Sequence, residues 1–208
     1  MQNRSKMKYY LSIDADYWNG LFPYGWAISQ KEYLKLECSI RNTLLKLKQL
    51  HVPVKVKKDH HELLEHMNGF KFDALVNIDY HADLCDGIPE TGSLDSFNCG
   101  TWGNYISMEI KERGTFIWVY SADDSVFGRC NSDGSKGYCN DNPRKNPFLT
   151  KDSANICGWK KTKQVKRRLP KNLWDNIVAA GICYSPDYTD PNILPTFKKI
   201  VKEVKLCA

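Results

Sequence analysis

Between positions 79 and 83 the chain reads Asp79-Tyr80-His81-Ala82-Asp83, directly after the apolar run Ala74-Leu75-Val76-Asn77-Ile78. Residues two apart on an extended chain project to the same side. Asp79, His81 and Asp83 can therefore converge at the end of a buried strand. A second alternating pair, Asp14-Ala15-Asp16, ends the run Tyr9-Tyr10-Leu11-Ser12-Ile13, and Asp59-His60-His61 follows Val52-Pro53-Val54-Lys55-Val56. Taken alone, Asp14 and Asp16 read equally well as turn-forming aspartates, and His60 as a capping histidine. Together, Asp14, Asp16, His60, Asp79, His81 and Asp83 have the chemistry of a two-metal centre. Paired dications repel unless carboxylates lie between them, and imidazoles complete such sites as terminal ligands. An oxygen-rich donor set of this kind suits Mn²⁺, two ions per chain, better than a structural zinc. Burying the Asp79–Asp83 group without compensation would cost several kcal/mol.

The elements that must carry these residues alternate between strand and helix. Strands are expected over Tyr9 to Asp14, Val52 to Val56, Ala74 to Ile78, Phe116 to Tyr120 and within Ile177 to Tyr184. The spacing of Leu36, Ile40, Leu44, Leu47 and Leu50 predicts a helix from Lys31 to Leu50. Further helices are expected over His60 to Met67, opened by Asp59 as N-cap, over Trp102 to Lys111, and over Leu194 to Leu206 with Phe197, Ile200, Val201 and Val204 inward. This alternation implies an α/β fold of three layers with a mostly parallel sheet. Ligands of such sheets bind beyond the carboxyl ends of the strands, where all three acidic segments fall. Residues 127–147, rich in Gly, Asn, Asp and Ser, read as a long surface loop, and a basic strip runs from Lys160 to Lys171.

The chain has 208 residues, the size of a single domain, 1–208. Its net charge of +6 is mild and does not itself imply nucleic acid as a partner. No apolar run reaches the roughly 20 residues that span a bilayer, and the polar start lacks a signal-peptide core, so a cytoplasmic protein without membrane association is expected. Eight cysteines include no CxxC pair. Several, such as Cys183, sit in apolar contexts and read as small core residues. Cys130 and Cys139 bracket the Gly/Ser/Asn-rich stretch and are a candidate bridge.

Asp79-Tyr80-His81-Ala82-Asp83 resembles the Asp-x-His-x-Asp motif of the arginase (ureohydrolase) superfamily. Asp59-His60 is similar to the Asp-His of that superfamily, and Asp14-Ala15-Asp16 to its Asp-x-Asp. Here Asp-x-Asp comes first rather than last, which implies a compact, circularly permuted, arginase-like sheet. The chain more closely resembles the UPF0489 group, which includes the peptide arginases, through Tyr17-Trp18, Asp59-His60-His61-Glu62 and Ser185-Pro186-Asp187-Tyr188-Thr189. The resemblance implies that Asp14 and Asp79 bridge two Mn²⁺ ions, that His60 and Asp83 complete one, and that Asp16 and His81 complete the other. His61 is the alternative to His60. Asp187 is the candidate for holding the guanidinium. Apart from the resemblance, Asp123 and Asp124 end the Phe116 strand and in a parallel sheet point toward the same site, though they read equally well as a solvated turn. The second catalytic histidine of the superfamily has no counterpart, which leaves proton transfer to the leaving amine unassigned. The implied reaction is hydrolysis of arginine side chains in a ribosomal precursor peptide, giving ornithine and urea.

Three alternatives stand beside this. A small-molecule ureohydrolase of the agmatinase type would share the metal ligands, but the motifs that read free arginine are missing. A haloacid-dehalogenase-type phosphatase would use Asp14 and Asp16, yet Tyr17-Trp18 stand where its motif needs small residues, and Asp79, His81 and Asp83 would have no role. A non-enzymatic binding protein would use the basic strip, whose bland reading is a solvated face.

Overall fold

The computed structural model describes residues 6–21, 29–84, 102–121 and 159–207. The long loop over 127–147, Asp123, Asp124, Cys130 and Cys139 lie outside the described residues. Among those described, six strands form one sheet: β1 (Tyr9–Asp14), β2 (Val54–Lys57), β3 (Ala74–Ile78), β4 (Thr115–Tyr120), β5 (Lys161–Lys166) and β6 (Ile177–Cys183). Their order is β2-β6-β1-β3-β4-β5, and every pairing is parallel. From β1 the chain crosses to the edge strand β2, returns to β3 and runs outward through β4 and β5, and β6 finally inserts between β2 and β1.

The four inner strands, β6, β1, β3 and β4, are largely apolar because both of their faces are covered. On one face Leu11, Ile13, Val76, Ile78, Ala180 and Ile182 meet two long helices, α1 (Gln30–Gln49) and α5 (Leu194–Val204). Ser29 caps α1 in a box with Glu32. Its buried stripe is Leu36, Ile40, Leu44 and Leu47. Leu50, expected as the last member of that stripe, is the C-cap and is 39% exposed. Pro195 opens α5, and Lys205 ends it in the left-handed conformation at φ 51°. Phe197, Ile200, Val201 and Val204 face inward as the spacing required. Each such burial contributes about 1.5–3 kcal/mol.

The other face carries Tyr10, Leu75, Phe116, Trp118, Ala179 and Cys183, covered by Leu63, Met67, Trp102, Ile106 and Trp159. Its helical pieces are short. The helix expected over His60 to Met67 is a 3-10 turn (His60–Leu63) leading into α2 (Leu64–Asn68). The one expected over Trp102 to Lys111 is a 3-10 turn (Trp102–Asn104) separated from α3 (Met108–Arg113). A single-turn helix, α4 (Leu173–Asn176), precedes β6.

The basic strip is a correction to the sequence reading. Its first half is β5, paired to β4 from Thr115↔Lys161 to Tyr120↔Lys166. Lys161 and Lys163 are exposed while Thr162 between them is buried, the alternation of a strand with one covered side. Lysines at alternate positions hid the strand in a charge run.

Candidate metal centre

All the expected metal ligands lie at the carboxyl end of the sheet. Asp14 ends β1, and Asp16 follows it on a 3-10 turn, Ala15–Leu21. Asp79, His81 and Asp83 follow β3. His60 has farther to reach, because β6 separates β2 from β1. Gly181 opens the way. It pairs with Ser12, and a Cβ at this position would lie 2.8 Å from both Leu63 Cδ1 and the Tyr10 hydroxyl. The turn carrying His60 therefore lies across β6 where only glycine leaves room. Glu62 fixes the start of that turn, its carboxylate accepting the backbone N–H of Lys58 and Asp59 at 3.0 Å each.

The side chains converge in two overlapping groups, Asp14–His60–Asp79–Asp83 and Asp16–Asp79–His81, each with ligand atoms within 4.8 Å of one another. Asp79 belongs to both, whereas Asp14, expected to bridge as well, falls with His60 and not in the Asp16–Asp79–His81 group. His60 is fully buried, and its Nδ1 stands 3.2 Å from Asp14 Oδ2, 3.2 Å from Asp79 Oδ2 and 3.0 Å from Asp83 Oδ2. None of these contacts has hydrogen-bond geometry. A nitrogen aimed between three carboxylate oxygens, none of them aligned with an N–H, is disposed as a ligand around a cation. His81 Nδ1 lies 2.9 Å from Asp16 Oδ2. Its side chain is 28% exposed while the aspartates are buried, so solvent reaches the cluster from the His81 side.

Supporting contacts orient each ligand. Ser12 Oγ is 2.5 Å from His60 Nε2. With Nδ1 given to a cation, Nε2 would carry the proton and donate to Ser12. Ser185 Oγ donates to Asp14 Oδ2 at 2.5 Å, and Asn77 Nδ2 to Asp79 Oδ2 at 3.1 Å. Trp102 Nε1 donates to Asp83 Oδ2 at 2.6 Å, and its ring packs 4.4 Å from that of His60. Backbone N–H groups of Asp16, Tyr80 and His81 donate to Asp14, Asp16 and Asp79 respectively. Asp83 and Ser185 hold positive φ, 56° and 39°, strain of the kind that collects at functional sites. At Gly103 a Cβ would meet the Asp83 carbonyl at 3.0 Å, so glycine lets the Trp102 turn close over Asp83.

The electrostatics are those of excess buried negative charge. Burial, then the neighbouring Asp14 and Asp79, push Asp16 well above the usual carboxylate range. Burial, with Asp83 and Asp14, raises Asp79 to about 7. Burial alone would lower His81, but Asp16 outweighs it and raises the imidazole to about 10. Burial would lower His60, but Cys183 and then Asp14, Asp79 and Asp83 outweigh it and raise the imidazole well above its ordinary value. Without a cation, protons hold this cluster together; a divalent ion would replace them.

Asp187, expected to hold the guanidinium, follows β6, which does lie beside β1. It is exposed on the turn 186–188, outside the buried cluster. Asp124 lies outside the described residues. Sequence reasoning missed Ser12, Asn77, Trp102, Ser185 and the role of Cys183. A serine and an asparagine inside otherwise apolar strands, Ser12 and Asn77, were the legible signal. Cys183 is buried in the core as expected, but its thiol is turned 3.0 Å from Asp14 Oδ2.

Comparison with protein-family models, with curated proteins and with solved structures finds no match to this chain. No helix among the described residues is long and apolar enough to cross a membrane.

Proposed function

We propose that the chain is a binuclear-metal amidinohydrolase that converts arginine side chains of a peptide to ornithine and releases urea. The observation that carries this reading is the orphaned, fully buried Nδ1 of His60 among three carboxylates, beside a second imidazole–carboxylate group that shares Asp79. Asp14, His60, Asp79 and Asp83 would hold one ion and Asp16, Asp79 and His81 the other. Mn²⁺ is the cofactor that the carboxylate-rich set suits. When bound, the ions would supply acidified water and Lewis-acid stabilisation of negative charge.

The chain's own residues do the positioning. Ser12 holds the His60 ring, Ser185 and Cys183 hold Asp14, and Trp102 holds Asp83 while its ring covers His60 from water. His81 is the partly exposed member, and Tyr188 stands edge-on to it with ring centroids 5.7 Å apart. A guanidinium arriving over His81 meets an aromatic rim and, one residue from Tyr188, the exposed Asp187 carboxylate.

The test is incubation of the Mn²⁺-loaded protein with arginine-containing peptides, free arginine and agmatine. Loss of CH2N2 per converted arginine, with an equivalent of urea, is expected from the peptide. Urea from free arginine or agmatine, with peptides untouched, would replace this reading by a small-molecule ureohydrolase. No urea from any guanidinium would reject both.

A further inference from the structure

Cys183 is the last residue of β6 and pairs with Asp14 across the sheet, so both side chains leave the same face at the same height. It is fully buried. A buried cysteine with only a packing role turns its sulfur to apolar neighbours. Here Sγ points at Asp14 Oδ2, 3.0 Å away, and stands 3.5 Å from Ser185 Oγ. Asp14 Oδ2 is also one of the three oxygens around His60 Nδ1. Sulfur, oxygen and nitrogen from β6, β1 and the His60 turn lie within 4.8 Å of one another, a third group of ligand atoms sharing members with the first. Independently of the thiol, the His60 Nδ1 without a hydrogen-bond partner, on a ring with no exposed surface, marks this spot as the place for a cation.

We infer that Cys183 supplies a thiolate to the ion held by Asp14 and His60, which makes the two metal positions chemically unequal. The inference rests on the two-ion reading above. The Asp16–Asp79–His81 position offers carboxylates and one imidazole, a donor set for Mn²⁺. The Asp14–His60 position adds sulfur, and sulfur shifts preference toward Zn²⁺, Co²⁺ or Fe²⁺. Ligation breaks the S–H bond, the electron pair goes to the metal and the proton leaves to solvent. The product is a mixed-metal centre rather than a matched pair of manganese ions.

X-ray absorption on the full chain loaded with one equivalent of Zn²⁺ tests this directly. A sulfur neighbour at about 2.3 Å is distinct from oxygen and nitrogen at about 2.0–2.2 Å. The expected result is one sulfur in wild type, lost in Cys183→Ser, with Mn²⁺ still bound by the variant. Cys183→Ala serves the same purpose if the serine variant does not fold. Bound zinc with only oxygen and nitrogen neighbours in wild type would overturn the inference and leave the two-ion centre standing. A sulfur signal that persists in the variants would also overturn it, by assigning the signal to another cysteine. A wild-type chain that takes up no divalent ion would remove the two-ion reading, and the inference with it.

Discussion

Replacing Ser12 with alanine tests whether the His60 cluster is a metal site or only a buried hydrogen-bond network. Ser12 and His60 are both fully buried, and the 2.5 Å contact between them is the one hydrogen bond at Nε2 among the described residues. Ser12→Ala leaves that N–H without an acceptor, at a cost of about 1–3 kcal/mol. Loss of an outer partner of a metal-binding histidine typically lowers metal affinity about 10- to 100-fold, or about 1.4–2.8 kcal/mol. Competition of the folded protein against a chromophoric chelator for Mn²⁺ measures the effect. Weaker binding in that range, with the far-ultraviolet dichroism unchanged, is expected. Unchanged metal affinity together with lower stability would refute the reasoning and leave the Ser12–His60 contact a purely structural one.

Three further outcomes follow from the geometry. Asp79 is common to both ligand groups, so Asp79→Asn should lose both ions while Asp16→Asn loses one, as counted by metal analysis; a single loss in both variants would remove the bridging role of Asp79. His60→Ala should lower metal content and His61→Ala should not, since His60 Nδ1 is the ring nitrogen held among the carboxylates; the reverse would place the ligand one residue later. Away from the site, burial and then Lys55 lower the pKa of His66 below its ordinary 6.5, and its Nδ1 lies 2.7 Å from the Tyr10 hydroxyl. As pH falls below about 6.5 the unfolded chain takes up this proton before the folded one does, so stability drops until the folded imidazole is also protonated. Urea melts of wild type and His66→Gln at about pH 7.5 and about pH 5.5 should show a smaller loss in the variant; equal losses would contradict this.

The strands that carry the ligands could be read from sequence because β1 and β3 are largely apolar runs ending in aspartate and β2 alternates valine with lysine before Asp59-His60. β3 lies over Ala74–Ile78, where it was expected, and α1 differs from expectation by one residue at each end. Segments read less well were those whose structure depends on distant partners. β5 hid in a lysine-rich strip because its order comes from pairing with β4, not from its own apolarity. The His60 segment reads as one helix opened by Asp59, but it starts as a 3-10 turn seated on Gly181, more than a hundred residues away. The position of Cys183 beside Asp14 depends on the β1–β6 register, which no local pattern encodes. The identities of the six ligand candidates were legible for the opposite reason. Acidic and imidazole side chains at the ends of buried strands need compensation wherever the sheet order places them.

The most direct test of the account is metal analysis of protein purified without chelator and then reconstituted with Mn²⁺, Co²⁺ or Zn²⁺. Four carboxylates and two imidazoles in two groups that share Asp79 predict two divalent ions per chain, falling to none in Asp79→Asn. A chain that carries no divalent ion as purified, and binds none on reconstitution, would contradict the central claim.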